Sequence, residues 1–232
     1  MSRRLLVCIG VAIVCATASV APASAQTKAP SKPGTERATE FLIGGLVTAP
    51  TSVGSATAEL LDGSGNPSVD LFRLDNKLGM GFGVEANFGF QISKALWLEV
   101  SGGWTRSNVE TDIRNDFEDG FDETISSPMS RFTLQAGVLS YFHDKGSSAW
   151  FVRGTAGWMR ETAGANTLTG DGIIAGGGLG WRHWWITSRK GAANRVGLRL
   201  EGRADIRSGG ISLGEKGIRF GPAGVAHLVF GF

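Results

Sequence analysis

The chain has 232 residues, of which 35 are glycine, two cysteine and one tyrosine. Charged residues make up 19% and the formal net charge is +2, so the basic excess of a nucleic-acid-binding protein is missing. Mean hydropathy is +0.02, too low for a helical membrane protein and high for a disordered chain. The glycines have no three-residue period, which excludes collagen, and two cysteines build neither a disulfide scaffold nor a cysteine-rich metal site.

Residues 1–25 read as a secretory signal peptide: Arg3 and Arg4, an apolar run from Leu5 to Val14, and the small-x-small triplet Ala23-Ser24-Ala25 before Gln26. Gly10 and Pro22 interrupt the run, and cleavage after Ala25 is preferred to an uncleaved anchor. Cys8 and Cys15 both lie in this segment, outside any convincing lipobox, so the mature chain is expected to have no thiol chemistry. With Arg3 and Arg4 removed, Lys+Arg equals Asp+Glu and the formal net charge is zero. Residues 26–39 are polar, with Pro30, Pro33 and Gly34, and read as a flexible periplasmic leader. Residues 40–232 form the one remaining domain, and no later stretch is apolar over the length a membrane helix needs.

The signal in that domain has a period of two. A short opening strand, Phe41 to Thr48, is followed by a long mixed loop from Ala49 to Lys77 with turn signals at Asp62-Gly63 and Gly65-Asn66-Pro67. From Leu78 to Ile92 every even position is apolar while the odd ones are glycine, Glu85, Asn87 and Gln91. The next strands carry Leu96, Leu98, Val100 and Trp104; Phe132, Leu134, Ala136, Val138 and Phe142; Trp150, Val152, Ala156 and Trp158. Near residue 173 the parity flips for Ile173, Ala175, Leu179 and Trp181, then returns for Val196, Leu198, Leu200, Ala204 and Ile206. Phe220, Leu228, Phe230 and Phe232 line the last strand. The total is eight strands, an even number.

A soluble strand runs about 5–6 residues and a bilayer-crossing strand about 9–11. The odd positions of the strand at 196–207 are Gly197, Arg199, Glu201, Arg203, Asp205 and Arg207. On a soluble sandwich they would form a solvated outer face. Long apolar faces on every strand, with glycine opposite, fit lipid outside and a crowded lumen inside better. A one-residue slip would put these charges into lipid at roughly 2–4 kcal/mol per arginine near the midplane, so register is strongly specified. Short links near 92–95, 143–148 and 187–194 alternate with long ones near 49–77, 107–128, 161–171 and 208–217. That is the rule of periplasmic turns and outer loops, and it puts both termini in the periplasm. Aromatics gather at strand ends: Phe90, Phe142, Trp150, Trp181, Trp185, Phe230 and Phe232 as a periplasmic girdle, Trp104, Phe132, Trp158 and Phe220 as an outer one.

The expected fold class is therefore all-β, an eight-stranded antiparallel transmembrane β-barrel of outer-membrane type. The chain resembles the small eight-stranded outer-membrane barrels, similar to the barrel of outer membrane protein A and to outer membrane protein X. The resemblance covers about residues 40–232 and rests on the signal peptide, strand count, loop alternation and the ending Ala226-His227-Leu228-Val229-Phe230-Gly231-Phe232. Leu228, Phe230 and Phe232 resemble the signal read by the barrel-assembly machinery. Unlike outer membrane protein A, the chain carries no peptidoglycan-binding domain after the barrel, so cell-wall anchoring by that route is not expected.

The interior of an eight-stranded barrel is about wide enough for side chains to fill. Inward positions hold Glu85, Glu99, Arg131, Arg153, Arg182, Arg199, Glu201, Arg203, Asp205 and His227, expected to pair as a plug. The alternative is a narrow ion path whose arginines favour anions. Some small barrels modify lipid A, which takes a histidine with serine or an acid near the outer leaflet. His143, His183 and His227 all fall toward the periplasmic side, and no catalytic set is expected. Around the second outer loop, Glu110, Asp112, Asp116, Glu118, Asp119, Asp122 and Glu123 face only Arg106 and Arg114. The spacing fails the EF-hand pattern, so a solvated loop held at the membrane surface by divalent ions is preferred to a specific calcium site. Phe117 and Phe121 in the same loop are weak evidence for adhesion. The expected chain is a monomer without enzymatic activity or cofactor, in contact with outer-membrane lipid and lipopolysaccharide, with its outer loops open to an unidentified partner.

Overall fold

The computed structural model describes residues 38–61, 67–114, 123–143, 146–164, 167–187, 195–211 and 217–232. The expected signal peptide, almost all of the leader and the acidic stretch 115–122 lie outside the described residues. Ten strands run in chain order: β1 Thr39–Thr48, β2 Thr51–Leu61, β3 Pro67–Leu78, β4 Gly81–Gln91, β5 Leu96–Arg114, β6 Glu123–Phe142, β7 Ser148–Ala163, β8 Leu168–Thr187, β9 Arg195–Gly209 and β10 Ile218–Gly231.

Eight of them close into an antiparallel ring, β1-β4-β5-β6-β7-β8-β9-β10, sealed where β10 pairs with β1 from Gly231↔Glu40 to Ala223↔Thr48. The other two correct the sequence reading. The expected loop Ala49–Lys77 is a hairpin, β2–β3, that prolongs β1 and β4 beyond the ring. β3 lies along the far half of β5, Arg73–Leu78 against Arg114–Val109, while β4 takes the near half, Phe82–Gln91 against Arg106–Trp97. The fifteen-residue strand expected from Leu78 to Ile92 is therefore broken at Gly79 and Met80, where the Gly79 amide still donates to the Asn108 carbonyl at 2.8 Å. β5 and β6 also run well past Trp104 and Phe132, shortening the expected loop 107–128. Beyond the apolar belt both faces of a strand meet water, so the alternation that reveals a strand in lipid fades there.

Within the ring the alternation holds. Phe82, Leu98, Trp104, Phe132, Leu134, Val152, Trp158, Leu179, Leu200, Ile206 and Leu228 point outward and are exposed, while the intervening residues fill the interior. From Phe132 to Phe142, a strand tilted by about 40° rises roughly 25 Å, the height of a barrel's lipid-facing band. So large an exposed apolar surface is not a feature of a monomer in water.

The two ends of the ring differ. One carries both described chain ends and the turn at 92–95, and is called here the turn end; the other carries the β2–β3 hairpin. The interior is packed rather than open. At the turn end Trp97, Leu139, Tyr141, Ala149 and Phe151 form one apolar cluster and Leu42, Trp184 and Val229 another. At the hairpin end Val53, Leu78, Val109, Met129, Ala163 and Ile211 form a third. Glycine makes room for this filling. A Cβ on Gly180 would lie 2.2 Å from Phe151 Cζ, so the buried Phe151 ring sits in space that only glycine leaves on the paired strand.

Candidate functional site

Between the apolar clusters lie three tiers of charge. The turn-end tier is a single pair: Arg182 donates to Glu40, Tyr141 donates its hydroxyl to the same carboxylate at 3.3 Å, and the guanidinium lies 3.8 Å over the Tyr141 ring. Glu40 is inward because β1 continues the parity of Leu42 and Leu46.

The middle tier collects four carboxylates, three guanidiniums and one imidazole from five strands. Arg153 of β7 reaches Glu99 at 3.1 Å, Glu201 at 3.2 Å and Glu85 at 3.6 Å. Arg199 bridges Glu99 at 2.8 Å and Glu201 at 2.9 Å, with its guanidinium 4.3 Å over the Phe151 ring. Arg203 pairs with Glu85 at 2.7 Å and Asp205 at 3.4 Å. His227 Nε2 lies 3.5 Å from both Glu85 Oε1 and Asn87 Nδ2. Arg199 and His227 are essentially sealed from solvent, at 1% and 0% exposure. Each carboxylate in this tier has a guanidinium within 3.4 Å, as the burial of charge requires.

The hairpin-end tier centres on one carboxylate. Glu161 takes Arg131 in a two-pronged contact at 2.8 and 2.9 Å and accepts the Ile211 amide at 3.1 Å. Arg207 and Arg219 approach it only to 3.9 and 3.8 Å.

The expected charge set, Glu85, Glu99, Arg131, Arg153, Arg182, Arg199, Glu201, Arg203 and Asp205, is thus inward and buried throughout. It does not form one network. Arg182 belongs to the turn-end pair and Arg131 to the hairpin-end tier. Glu40, Glu161 and Arg219 were missed. The signal was parity: Glu161 stands four steps of two beyond Arg153, and Arg219 four before His227. The apolar part of the filling, notably Trp97, Tyr141, Phe151 and Trp184, was also missed, because these residues share parity with charged neighbours.

Among the expected girdle residues, Trp104, Phe132, Phe142, Trp150, Trp158 and Trp185 are exposed on the outer wall. Trp181 and Phe230 are half-buried, Trp181 stacked on His183 at 5.4 Å and Phe230 beside Phe41 at 6.5 Å. Trp184 keeps the inward parity of Arg182, and a bulge between Trp184 and Ile186 leaves both Trp185 and Ile186 exposed outside. Of the assembly-signal positions, Leu228 and Phe232 face outward and Phe230 is half-buried. His183 Nδ1 meets Ser148 Oγ at 2.7 Å across β7 and β8, but among the described residues no carboxylate pairs with this histidine.

On the hairpin side, β3, β5 and β6 share a water-facing patch. Asp112 accepts from Lys77 at 3.0 Å and from Thr124 at 2.9 Å, and these two hydrogen bonds hold its carboxyl below the usual aspartate range. The remaining acids of the expected acidic loop, except Glu110 and Asp112, lie outside the residues whose side chains are described.

No protein-family model matches the chain, and no curated protein matches it. Solved structures similar to the chain include two outer-membrane proteins. The outer membrane protein OprG from Pseudomonas aeruginosa is 12% identical, with 83% of this chain and 95% of that one covered at a TM-score of 0.45. The outer membrane protease OmpT from Escherichia coli is 8% identical, covering 84% and 96% at a TM-score of 0.40. The fold is read from the strand pairing itself: a closed ring of eight antiparallel strands with an apolar outer belt is a β-barrel of the outer-membrane type.

Proposed function

We propose that the chain is a monomeric, non-enzymatic barrel of the bacterial outer membrane, similar to the outer membrane protein A barrel and outer membrane protein X, with a structural or surface-interaction role. The observation that carries this reading is the filled lumen: paired charges stacked between apolar clusters leave the side chains of the interior in contact across its width. On this reading the turn end faces the periplasm, export follows cleavage after Ala25, and Leu228, Phe230 and Phe232 serve the barrel-assembly machinery. Outer-membrane lipid surrounds the belt, lipopolysaccharide meets the outer rim, and the β2–β3 hairpin offers the surface for a loop-bound partner. Nucleic acid is not a partner. Planar-bilayer recording of the refolded protein tests the plug. The expected result is no stable conductance; sizeable single-channel steps overturn it and favour the alternative, a narrow porin-like path, for which the arginines of the hairpin-end tier would select anions.

A lipid A-modifying enzyme is the less favoured reading. His143 and His183 lie toward the turn end, which this orientation puts far from outer-leaflet lipid A, and His227 is sealed within the middle tier. Mass spectrometry of lipid A from cells with and without the protein is expected to be identical; an acyl chain lost or gained overturns the non-enzymatic reading.

A further inference from the structure

Among the described residues the hairpin-end tier has an excess of positive charge, three guanidiniums to one carboxylate. Three guanidiniums, Arg131, Arg207 and Arg219, surround one carboxylate; Arg131 donates to Glu161 Oε1 and the Ile211 amide to Oε2, while Arg207 and Arg219 stay 3.9 and 3.8 Å away. Arg207 is 5% exposed and, among the described residues, none of its guanidinium nitrogens makes a hydrogen bond. Its Nε has no partner, nor does that of Arg219, whose Nη2 donates to the Ile211 carbonyl at 2.9 Å. Buried cations without a counter-charge are strongly disfavoured, and an arginine in this state cannot shed its proton to escape the penalty.

The surroundings specify what would complete the tier. Arg131, Glu161, Arg207 and Arg219 border a void of about 10 Å³, bounded also by Thr51 and Ser52 and roofed by Val53, Leu78 and Met129. That volume admits one particle the size of a water molecule or a chloride ion and excludes phosphate or sulfate. Water fits but brings no charge. We infer that this void is a site for one halide-sized monovalent anion, chloride in the native setting, held by Arg207 and Arg219. The apolar roof strips the ion of water, which favours a weakly hydrated halide. The site also gives the hairpin a function in the barrel: Thr51, Ser52 and Val53 of β2 close it, so a bound anion ties the hairpin to β9 and β10.

The test is bromide titration of the refolded full-length chain, with gluconate, too large for the void, holding ionic strength constant. In the wild type the urea midpoint is expected to rise saturably with bromide, because an ion bound only by the folded state stabilises it. Arg207→Gln and Arg219→Gln are each expected to weaken apparent affinity by about ten- to a hundredfold, the worth of one charged hydrogen bond. If Arg207→Gln fails to show the heat-modified mobility of a folded barrel, the more exposed Arg219→Gln decides the matter. Crystals grown in bromide are expected to show an anomalous peak between the two guanidiniums. A linear, unsaturable response, a response in the folded variants equal to wild type, or an equal effect of phosphate overturns the proposal. Bilayer conductance is a separate measurement, so failure here and failure of the plug are distinguishable.

Discussion

The middle and hairpin-end tiers use the same residue types, and β9 contributes to both, yet they treat charge in opposite ways. In the middle, Arg153, Arg199 and Arg203 share Glu85, Glu99, Glu201 and Asp205 among them, so each guanidinium touches at least two carboxylates. At the hairpin end three guanidiniums share one. In the middle every carboxylate has a guanidinium within 3.4 Å, whereas at the hairpin end, among the described residues, Arg207 and Arg219 come no nearer to a carboxylate than 3.9 and 3.8 Å. A barrel centre behind lipid on all sides has no access to counter-ions, so its charges must find partners within the chain. The end near water can leave its last neutralising group to the solvent.

The largest expected effect breaks the middle tier. Arg199→Gln leaves Glu99 and Glu201 dependent on Arg153 alone and is expected to destabilise by about 3–5 kcal/mol, read from the urea midpoint of the refolded barrel. A change within error would show that the buried pairs are not interdependent. Next comes the wall that isolates this tier. Val138→Arg, outward on β6, is expected to cost about 2–4 kcal/mol in lipid, whereas the same substitution at the water-facing Ser126 should leave the midpoint nearly unchanged. Equal effects at both positions would mean that the belt does not face hydrocarbon.

Gly180→Ala tests the packing beneath the middle tier, since the added methyl would meet Phe151 Cζ and the Leu200 carbonyl oxygen at 2.2 and 2.4 Å. Overpacking of this kind is expected to cost about 1–3 kcal/mol, by the same unfolding measurement. Arg207→Gln is the contrasting substitution at the hairpin end. In halide-free buffer it relieves an unpaired buried charge, so the midpoint should stay level or rise, opposite in sign to Arg199→Gln. The smallest effect belongs to the exposed Lys77–Asp112–Thr124 contact. The Asp112 carboxyl is lowered in the folded state, so its contribution is present above the ordinary aspartate pKa and fades as pH falls through the lowered value. A carbon-detected NMR titration should find this carboxyl below the unfolded reference, and Lys77→Ala should return it toward that reference.

These comparisons also show where the chain could be read without its structure. The inward parity of Glu85, Glu99, Arg153 and Arg199 was legible because lipid punishes the opposite register at every strand. The β2–β3 hairpin was not, because Thr51–Leu61 and Pro67–Leu78 carry no clean alternation of apolar and polar residues. Trp97, Tyr141 and Phe151 were hidden for another reason. A lumen accepts apolar filling at its ends as readily as charge, so inward parity identifies a position as inward without saying what will pack there.

By itself, then, the sequence determined the eight-strand ring, its register and which charges turn away from lipid, since these follow from a period of two read against one apolar solvent. Only the tertiary structure decided which charge meets which. Partners such as Arg153 and Glu201, or Arg182 and Glu40, are separated by 48 and 142 residues and meet because closure of β10 on β1 brings opposite walls within side-chain reach. The same closure divided one expected network into three tiers and, among the described residues, gave the hairpin-end tier three guanidiniums to one carboxylate.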